Sequence, residues 1–470
     1  MQEASWSELL AGRNGLRSLA LAGGVALHAI DVYIVATILP SVVQDIGGLE
    51  YYAWNTTLFV VASIMGSALS PKAMDAFGSR RAYLVSIGIF LLGTIVCALS
   101  PSMAWLLLGR TCQGFGGGVL LGLSYALSRI LFEERLWSRA MALISGMWGV
   151  ATLAGPAIGG VFAQMGHWRL AFWFVLPPAA VLIWLVCTQL DGKAPRPKGE
   201  RRLKAPLGKI SLLVLSVLSV SVASLSRELS WNVAGVALGL GLGFVIAKVD
   251  RNAAVKLLPT GSYSVEDKLG RLYACVALLS IGITVEVFVP YFLQLIHGNT
   301  PLIAGYLSAL MAAGWTAGSF ISSGRTMAVS NLLLRFGPAL SCLSLICLGV
   351  LMPMATLTQS NASGWWLIVP LVGVGLGIGL CWPHLMTGVF KSAPAGEENI
   401  ATSGITTVQL YAIAMGATLT GMVANAAGFT HPGGFVGAQQ AAVALFVVFA
   451  AAPALVVYLA GGVARRMTSI

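Results

Sequence analysis

Apolar runs of about 20 residues recur along nearly the whole chain, separated by short polar or basic segments. That pattern leaves few folds open. A hydrocarbon core roughly 30 Å thick is crossed by about 20 apolar residues in a helix, and a spanning helix satisfies its own backbone groups where no water is available. Of 470 residues, 57% are hydrophobic and 10% charged, against roughly 25% charged in an ordinary soluble domain. The expected fold is an all-α polytopic membrane protein with no large soluble domain.

The runs fall at about 19–42, 53–74, 82–100, 103–130, 138–164 and 169–190, then 210–226 and 231–248, then 272–296, 301–323, 333–355, 364–389, 401–427 and 438–463. This predicts fourteen spans arranged 6+2+6: an N-terminal six-helix half at 1–190, a linker with two inserted helices at 191–268, and a C-terminal six-helix half at 269–470. The serine-rich run at 210–226 is the shortest, near the lower limit of about 17 residues for a crossing. With the N-terminus inside and every run spanning, each Lys and Arg except Arg110, Arg169 and Arg227 lies on or near the cytoplasmic side. Both termini are therefore expected in the cytoplasm. Residues 1–18 lack the apolar h-region and small-residue site of a cleaved leader, so the first run is expected to remain as a helix.

Several function classes drop out. No G-x-x-x-x-G-K-[ST] loop occurs, so energy is not expected from bound ATP. The net charge of +11 is dispersed among short segments between apolar runs, as in cytoplasmic loops, and no nucleic-acid partner is expected. The seven cysteines all lie in apolar runs without C-x-x-C spacing, which points to buried small residues and to no metal site.

The halves carry traces of a duplication. Pro40-x-x-x-Gln44-x-Ile46 recurs as Pro290-x-x-x-Gln294-x-Ile296, and the stretch 155–163 aligns with 416–424. Duplicated halves around a midplane site are a transporter architecture. Four further segments carry a family likeness: Pro71-Lys72-Ala73-Met74-Asp75-Ala76-Phe77-Gly78-Ser79-Arg80-Arg81, Arg110-Thr111-Cys112-Gln113-Gly114-Phe115-Gly116-Gly117, Gly155-Pro156-Ala157-Ile158-Gly159-Gly160, and Asp31-Val32-Tyr33-Ile34-Val35-Ala36-Thr37-Ile38-Leu39-Pro40. They resemble, in turn, the G-x-L-x-D-x-x-G-R-[RK], R-x-x-Q-G-x-G-G and G-P-x-x-G-G signatures of the major facilitator superfamily and the first span of its fourteen-helix drug:proton antiporters. Pro71 and Ser79 depart from the first signature. The resemblance implies a gating latch at Asp75, Gly78 and Arg80, and a kinked, packed gate at Gly155, Pro156, Gly159 and Gly160.

Of the 17 acidic residues, only Asp31 and Glu286 lie well inside apolar spans. A carboxylate at midplane is costly when ionised, so it is expected to exchange a proton in the range that a proton gradient drives. The buried Arg110 needs a partner, and it either tunes such a carboxylate or contacts substrate. Asp31, Glu286 and Arg110 are thus the candidate proton-coupling residues. Candidates for the substrate cavity are His28, Asn55, Gln113, His384, Gln409 and Tyr411. The run Gly373-x-Gly375-x-Gly377-x-Gly379 lies mid-span and reads as helix packing rather than a dinucleotide loop. The sequons at 55–57 and 361–363 carry little weight without a known secretory host.

The expected function is proton-coupled export of lipophilic, cationic small molecules by alternating access. The expected setting is the cytoplasmic membrane, as a monomer among lipids, with the proton gradient as the energy source and no cofactor. A carrier dedicated to one metabolite, such as a siderophore or other anionic chelate, is the first alternative, with Arg110 and the histidines as ligands. A lipid flippase or transport-dead sensor is the second.

Overall fold

The computed structural model describes residues 6–190, 206–226, 228–323, 327–354 and 365–467. The basic segment at 191–205, Arg227, Arg325 and the sequon at 361–363 lie outside the described residues. All regular structure among the described residues is helical. A short α1 (Trp6–Leu10) precedes α2 (Gly12–Ile46), α3 (Trp54–Ala98), α4 (Met103–Leu131), α5 (Trp137–Gln164), α6 (Arg169–Trp173) and α7 (Leu176–Gln189). Then follow α8 (Leu207–Ala223), α9 (Leu229–Arg251), α10 (Lys268–Gly282), α11 (Val289–Leu295), α12 (Pro301–Ser322), α13 (Met327–Leu351), α14 (Ile368–Ser392), α15 (Glu398–Ala426) and α16 (Gly434–Met467). Among the described residues, eleven helices are long and apolar enough to cross a membrane. The chain is a multi-pass membrane protein.

Two compact units form. Met1–Gly48 with Leu58–Ile210 make the first, and Leu49–Thr57 with Ser211–Ile470 the second. Within the first, α2 packs along α5. A Cβ on Gly155 would overlap that of Tyr33, and one on Gly159 would stand 2.8 Å from the Ile34 carbonyl oxygen. The G-P-x-x-G-G segment therefore brings α5 onto α2 one turn beyond Asp31.

Three helices depart from the runs read off the sequence. The spans expected at 53–74 and 82–100 are the two helical arms of α3, which meet at Gly78, whose backbone (φ 74°, ψ 167°) is not helical. Only glycine adopts that conformation at little cost, so the expected loop contracts to one residue. The span at 169–190 divides into α6 and α7 ahead of Pro177 and Pro178, which carry no N–H to continue the ladder. The span at 272–296 divides around a 3-10 turn, Ile283–Val287, that carries Glu286. The ring of a helical proline collides with the carbonyl four residues earlier, and four residues before Pro290 is Glu286. Pro40, the matching proline of the repeat, is accommodated inside an unbroken α2.

In the second unit the alternating glycines of α14 serve two neighbours. Gly375 and Gly379 lie against the Met311 and Trp315 carbonyls of α12, whereas Gly373 and Gly377 lie against Ser344 and Gly337 of α13. Four-residue spacing gives each pair one helix face, so the packing reading of this run holds. In the serine-rich α8, Ser216 and Ser219 donate to the carbonyl three residues back at 2.8 and 2.9 Å, as Ser224 does just past its end at 2.7 Å, while the Ser221 hydroxyl pairs with that of Thr418 at 2.9 Å.

Candidate functional site

In the first unit, Asp31 of α2 is fully buried and meets Arg110 of α4, itself 2% exposed. Arg110 Nη1 donates to Asp31 Oδ2 and, at 2.8 Å, to Gln113 Oε1. Gln113 Nε2 donates to the other carboxylate oxygen, Oδ1, at 2.9 Å and to Thr94 Oγ1 at 2.9 Å. Thr94 passes its own hydrogen to the Phe90 carbonyl. The three-residue spacing of Arg110 and Gln113 puts both on one face of α4. A carboxylate this deep thus holds a charged donor on one oxygen and an amide donor on the other, which is the condition for keeping an ion pair out of water.

An aromatic wall closes the cluster. The Arg110 guanidinium carbon lies 4.0 Å from the Phe59 ring centroid, and His28, one turn before Asp31, stacks on Phe59 at 4.9 Å. Trp148 meets His28 edge-on at 6.1 Å.

The glycines of the same α4 segment admit the two arms of α3, before and after Gly78, and α2. A side chain at Gly114 would strike the Phe59 backbone, at Gly116 the Phe90 and Ser86 backbone, and at Gly117 the His28 ring. One face of α4 supplies the polar groups, and the glycines let the neighbouring helices reach them.

The remaining candidates are placed less compactly. Glu286 is half-buried on its 3-10 turn, with no hydrogen bond or ion pair to its carboxyl among the described residues. Asn55 is buried near the start of α3, within the segment that packs in the second unit. His384 and Gln409 are half-buried, and His384 Nε2 has no partner among the described residues. The Tyr411 hydroxyl lies 2.9 Å from Ser216 Oγ on α8. Asp75 is exposed. Arg80 Nε donates to the Leu190 carbonyl at 2.9 Å, a partner inside its own unit at the end of α7. Pro156 and Gly160 lie in the continuous α5.

Sequence reasoning overlooked Thr94 and Phe59, which complete the Asp31 cluster. A lone threonine and a lone phenylalanine in apolar runs carry no spacing signal. It also overlooked Asp45, which takes Arg169 Nη1 at 2.5 Å and the Trp168 indole at 3.1 Å.

Residues 21–417 match the family model described as Major Facilitator Superfamily. The chain belongs to the major facilitator superfamily. A probable multidrug-efflux transporter of Mycobacterium tuberculosis is 36% identical over 479 residues, covering 99% of this chain and 98% of that protein. Multidrug resistance protein 3 of Bacillus subtilis is 24% identical, covering 86% of this chain and 78% of that one. Among solved structures, a bacterial homolog of the human lysosomal transporter Spinster, in an inward-facing, unoccupied conformation, aligns with a TM-score of 0.64 at 16% identity, over 96% of this chain and 97% of that one. A POT family transporter in complex with 5-aminolevulinic acid aligns at 0.65 and 15%, covering 96% of each. These last two likenesses establish the fold. As a member of the major facilitator superfamily the protein is a transporter of small molecules and not an enzyme.

Proposed function

We propose that this transporter exports lipophilic cations in exchange for protons, and that Asp31 is the residue that exchanges them. The observation that carries the reading is the fully buried Asp31 carboxylate bound by Arg110 and Gln113. A proton on Asp31 cancels its charge and weakens its hold on Arg110, whereas a cation entering near Asp31 competes for the same carboxylate. Two ligands that favour different states of one site are what coupling requires. Glu286 is assigned as a second proton or cation site, and protonation permits the occluded return. His28, Asn55, Gln113, His384, Gln409 and Tyr411 are assigned to substrate contact, Asp75, Gly78 and Arg80 to a gating latch, and Gly155, Pro156, Gly159 and Gly160 to gating and helix packing. The multidrug-efflux names of the relatives support export.

The reading includes fourteen crossings in the 6+2+6 order. At about 1.5 Å per residue α3 is about 67 Å long, more than twice the hydrocarbon core, so the bend at Gly78 makes it two crossings. The six-helix halves at 1–190 and 269–470 flank the inserted pair. Both termini are placed in the cytoplasm, in the cytoplasmic membrane, with the protein acting as a monomer among lipids and drawing on the proton gradient without a cofactor.

The test is substrate-triggered proton movement in proteoliposomes, comparing the parent with Asp31→Asn and Glu286→Gln over cationic dyes and anionic chelates. Proton release by cations in the parent, silent in Asp31→Asn, is the expected result. Full coupled export by Asp31→Asn sinks the assignment, and a response to chelates alone makes the protein a metabolite carrier with Arg110 as its ligand.

A further inference from the structure

We infer that a groove on the membrane-facing side of the first unit, along α2 and α7, holds one acyl chain of a phospholipid from the cytoplasmic leaflet. The leaflet rests on the orientation proposed above, and the groove itself does not.

The groove encloses about 200 Å³, and every side chain that lines it is apolar. Leu27 and Ile34 of α2 and Leu182 and Leu185 of α7 form a buried floor, whereas Leu19, Phe174 and Val181 on the rim are about half exposed. Ile158 of α5 closes one side. Local sequence shapes it. Gly23 lets α7 settle on α2, since a Cβ there would stand 3.1 Å from Leu182 Cδ1, and the small Ala26 keeps the neighbouring wall low. Pro178, one of the two prolines that part α6 from α7, completes the lining.

Shape and chemistry select the occupant. The lining runs about 22 Å along α2, from Leu19 to Ile34, and about 15 Å along α7, from Val175 to Leu185, at about 1.5 Å per residue. One leaflet's share of a hydrocarbon core roughly 30 Å thick is about 15 Å. A helix about 10 Å across is too wide for so small a volume, which leaves no room for a span of a second copy or of another protein. A lipophilic cation would find no group there to answer its charge. The rim continues into the exposed apolar surface of α7, where Trp184 stands 60% exposed, so the groove opens on a surface that the chains of the bilayer already cover.

The direction of the two helices sets the leaflet. Leu19 opens the first apolar run and Leu185 lies near the end of the sixth, so both stand at the cytoplasmic end, and the approach of Leu182 to Gly23 keeps that pairing one turn deeper. The groove closes at Ile34 and Phe174, about midway through the first run. The lining residues Ile30 and Ile34 flank Asp31 along α2, while the Asp31 carboxylate is held by Arg110 of α4. The acyl chain thus lies behind the turn of α2 that carries the buried acid, and it supplies dispersion contacts to that turn.

The full chain is reconstituted in vesicles of phosphatidylethanolamine and phosphatidylglycerol with a small fraction of phosphatidylcholine carrying a diazirine on one acyl chain, near either the ester or the methyl end. Illumination and peptide mapping then give the labelling per residue. A groove that buries about two more methylenes than an open face favours the chain about tenfold. Labelling at 19–34 and 174–185 should exceed, by about that factor, labelling of the α9 face that bears Leu240 and Phe244, 70% and 71% exposed. Ala26→Phe, which fills the groove, should bring its labelling down to the α9 level and leave α9 unchanged. Val181→Trp narrows it from the exposed rim and decides if Ala26→Phe does not fold. The ester-end probe should label near Leu19 and Leu185, and the methyl-end probe near Ile34 and Phe174. Groove labelling no stronger than that of α9, or unmoved by the substitution that folds, overturns the inference. Displacement of the label by excess ethidium overturns it in favour of a substrate site. Concentrated labelling with the depth order reversed overturns the leaflet and the proposed orientation together, which tells that failure apart from failure of the groove.

Discussion

Gln113 and Arg110 divide the Asp31 carboxylate between them: the amide takes Oδ1 at 2.9 Å and the guanidinium takes Oδ2. Three side chains from two helices thus form one buried cluster in which each touches both of the others, and removing either charge leaves the opposite charge without its counter-ion.

Single and double removal of the charges should therefore differ. Breaking a buried ion pair from one side costs about 3–5 kcal/mol, because a charge is left without its partner. Asp31→Asn and Arg110→Gln should each lower the unfolding temperature of the purified protein, and the double variant should lose clearly less than the sum. Additive losses in a thermal-shift series would show that the two groups do not share their energy.

The glycines of α4 rank by what each faces. At Gly114 an added methyl meets the Phe59 backbone, which cannot turn aside, whereas at Gly117 it meets the His28 ring, which can. Overpacking of this kind costs about 1–3 kcal/mol. Gly114→Ala should lower the yield of folded protein, and Gly117→Ala should keep it folded with altered substrate affinity. Equal folded yields, measured by size-exclusion after detergent extraction, would contradict the ranking.

Tyr411 and Ser216 form a pair across α15 and α8. A hydrogen bond of this type contributes about 0.5–1.5 kcal/mol. Tyr411→Phe and Ser216→Ala should each destabilise by roughly that amount, and the double variant should lose no more than either single one. If Tyr411→Phe also raises the KM for a cationic dye, the hydroxyl serves substrate as well as the seam.

Outside the membrane, Glu397 accepts from the Thr260 backbone N–H at 2.6 Å, the Thr260 hydroxyl at 2.8 Å and Lys256 Nζ at 3.1 Å. These donors, the backbone N–H foremost, hold its carboxyl below the ordinary value of 4.5. A lowered carboxylate contributes stability that is complete above its unfolded value and fades as the pH falls through the folded one. The stability difference between the parent and Glu397→Gln should hold from pH 7 down to about 4.5 and shrink below it. A difference constant from pH 7 to about pH 3 would show that the charge has no part in holding the 252–267 loop.

Much of the site was legible because helix geometry is local. Arg110 and Gln113 share a face by their spacing alone, as do His28 and Asp31, and an acid amid apolar residues stands out from the sequence. The break at Glu286 was legible in principle from Pro290, yet the matching Pro40 leaves its own helix whole, so a proline in the repeat does not by itself decide. The break expected at 71–81 is present at Gly78 but is far shorter than the charged segment around it, because charged residues mark where a chain leaves the hydrocarbon and only the glycine departs from helical geometry.

The sequence alone determined the class and the family, since each rests on the hydropathy of consecutive residues and on short motifs. The tertiary structure decided the partners. That Asp31 takes Arg110 and Gln113, that Thr94 and Phe59 complete the cluster, and that Tyr411 turns to α8 all depend on how closely separate helices approach. That approach is set by glycines, bends and side-chain volumes summed over many turns, and no local pattern records the sum.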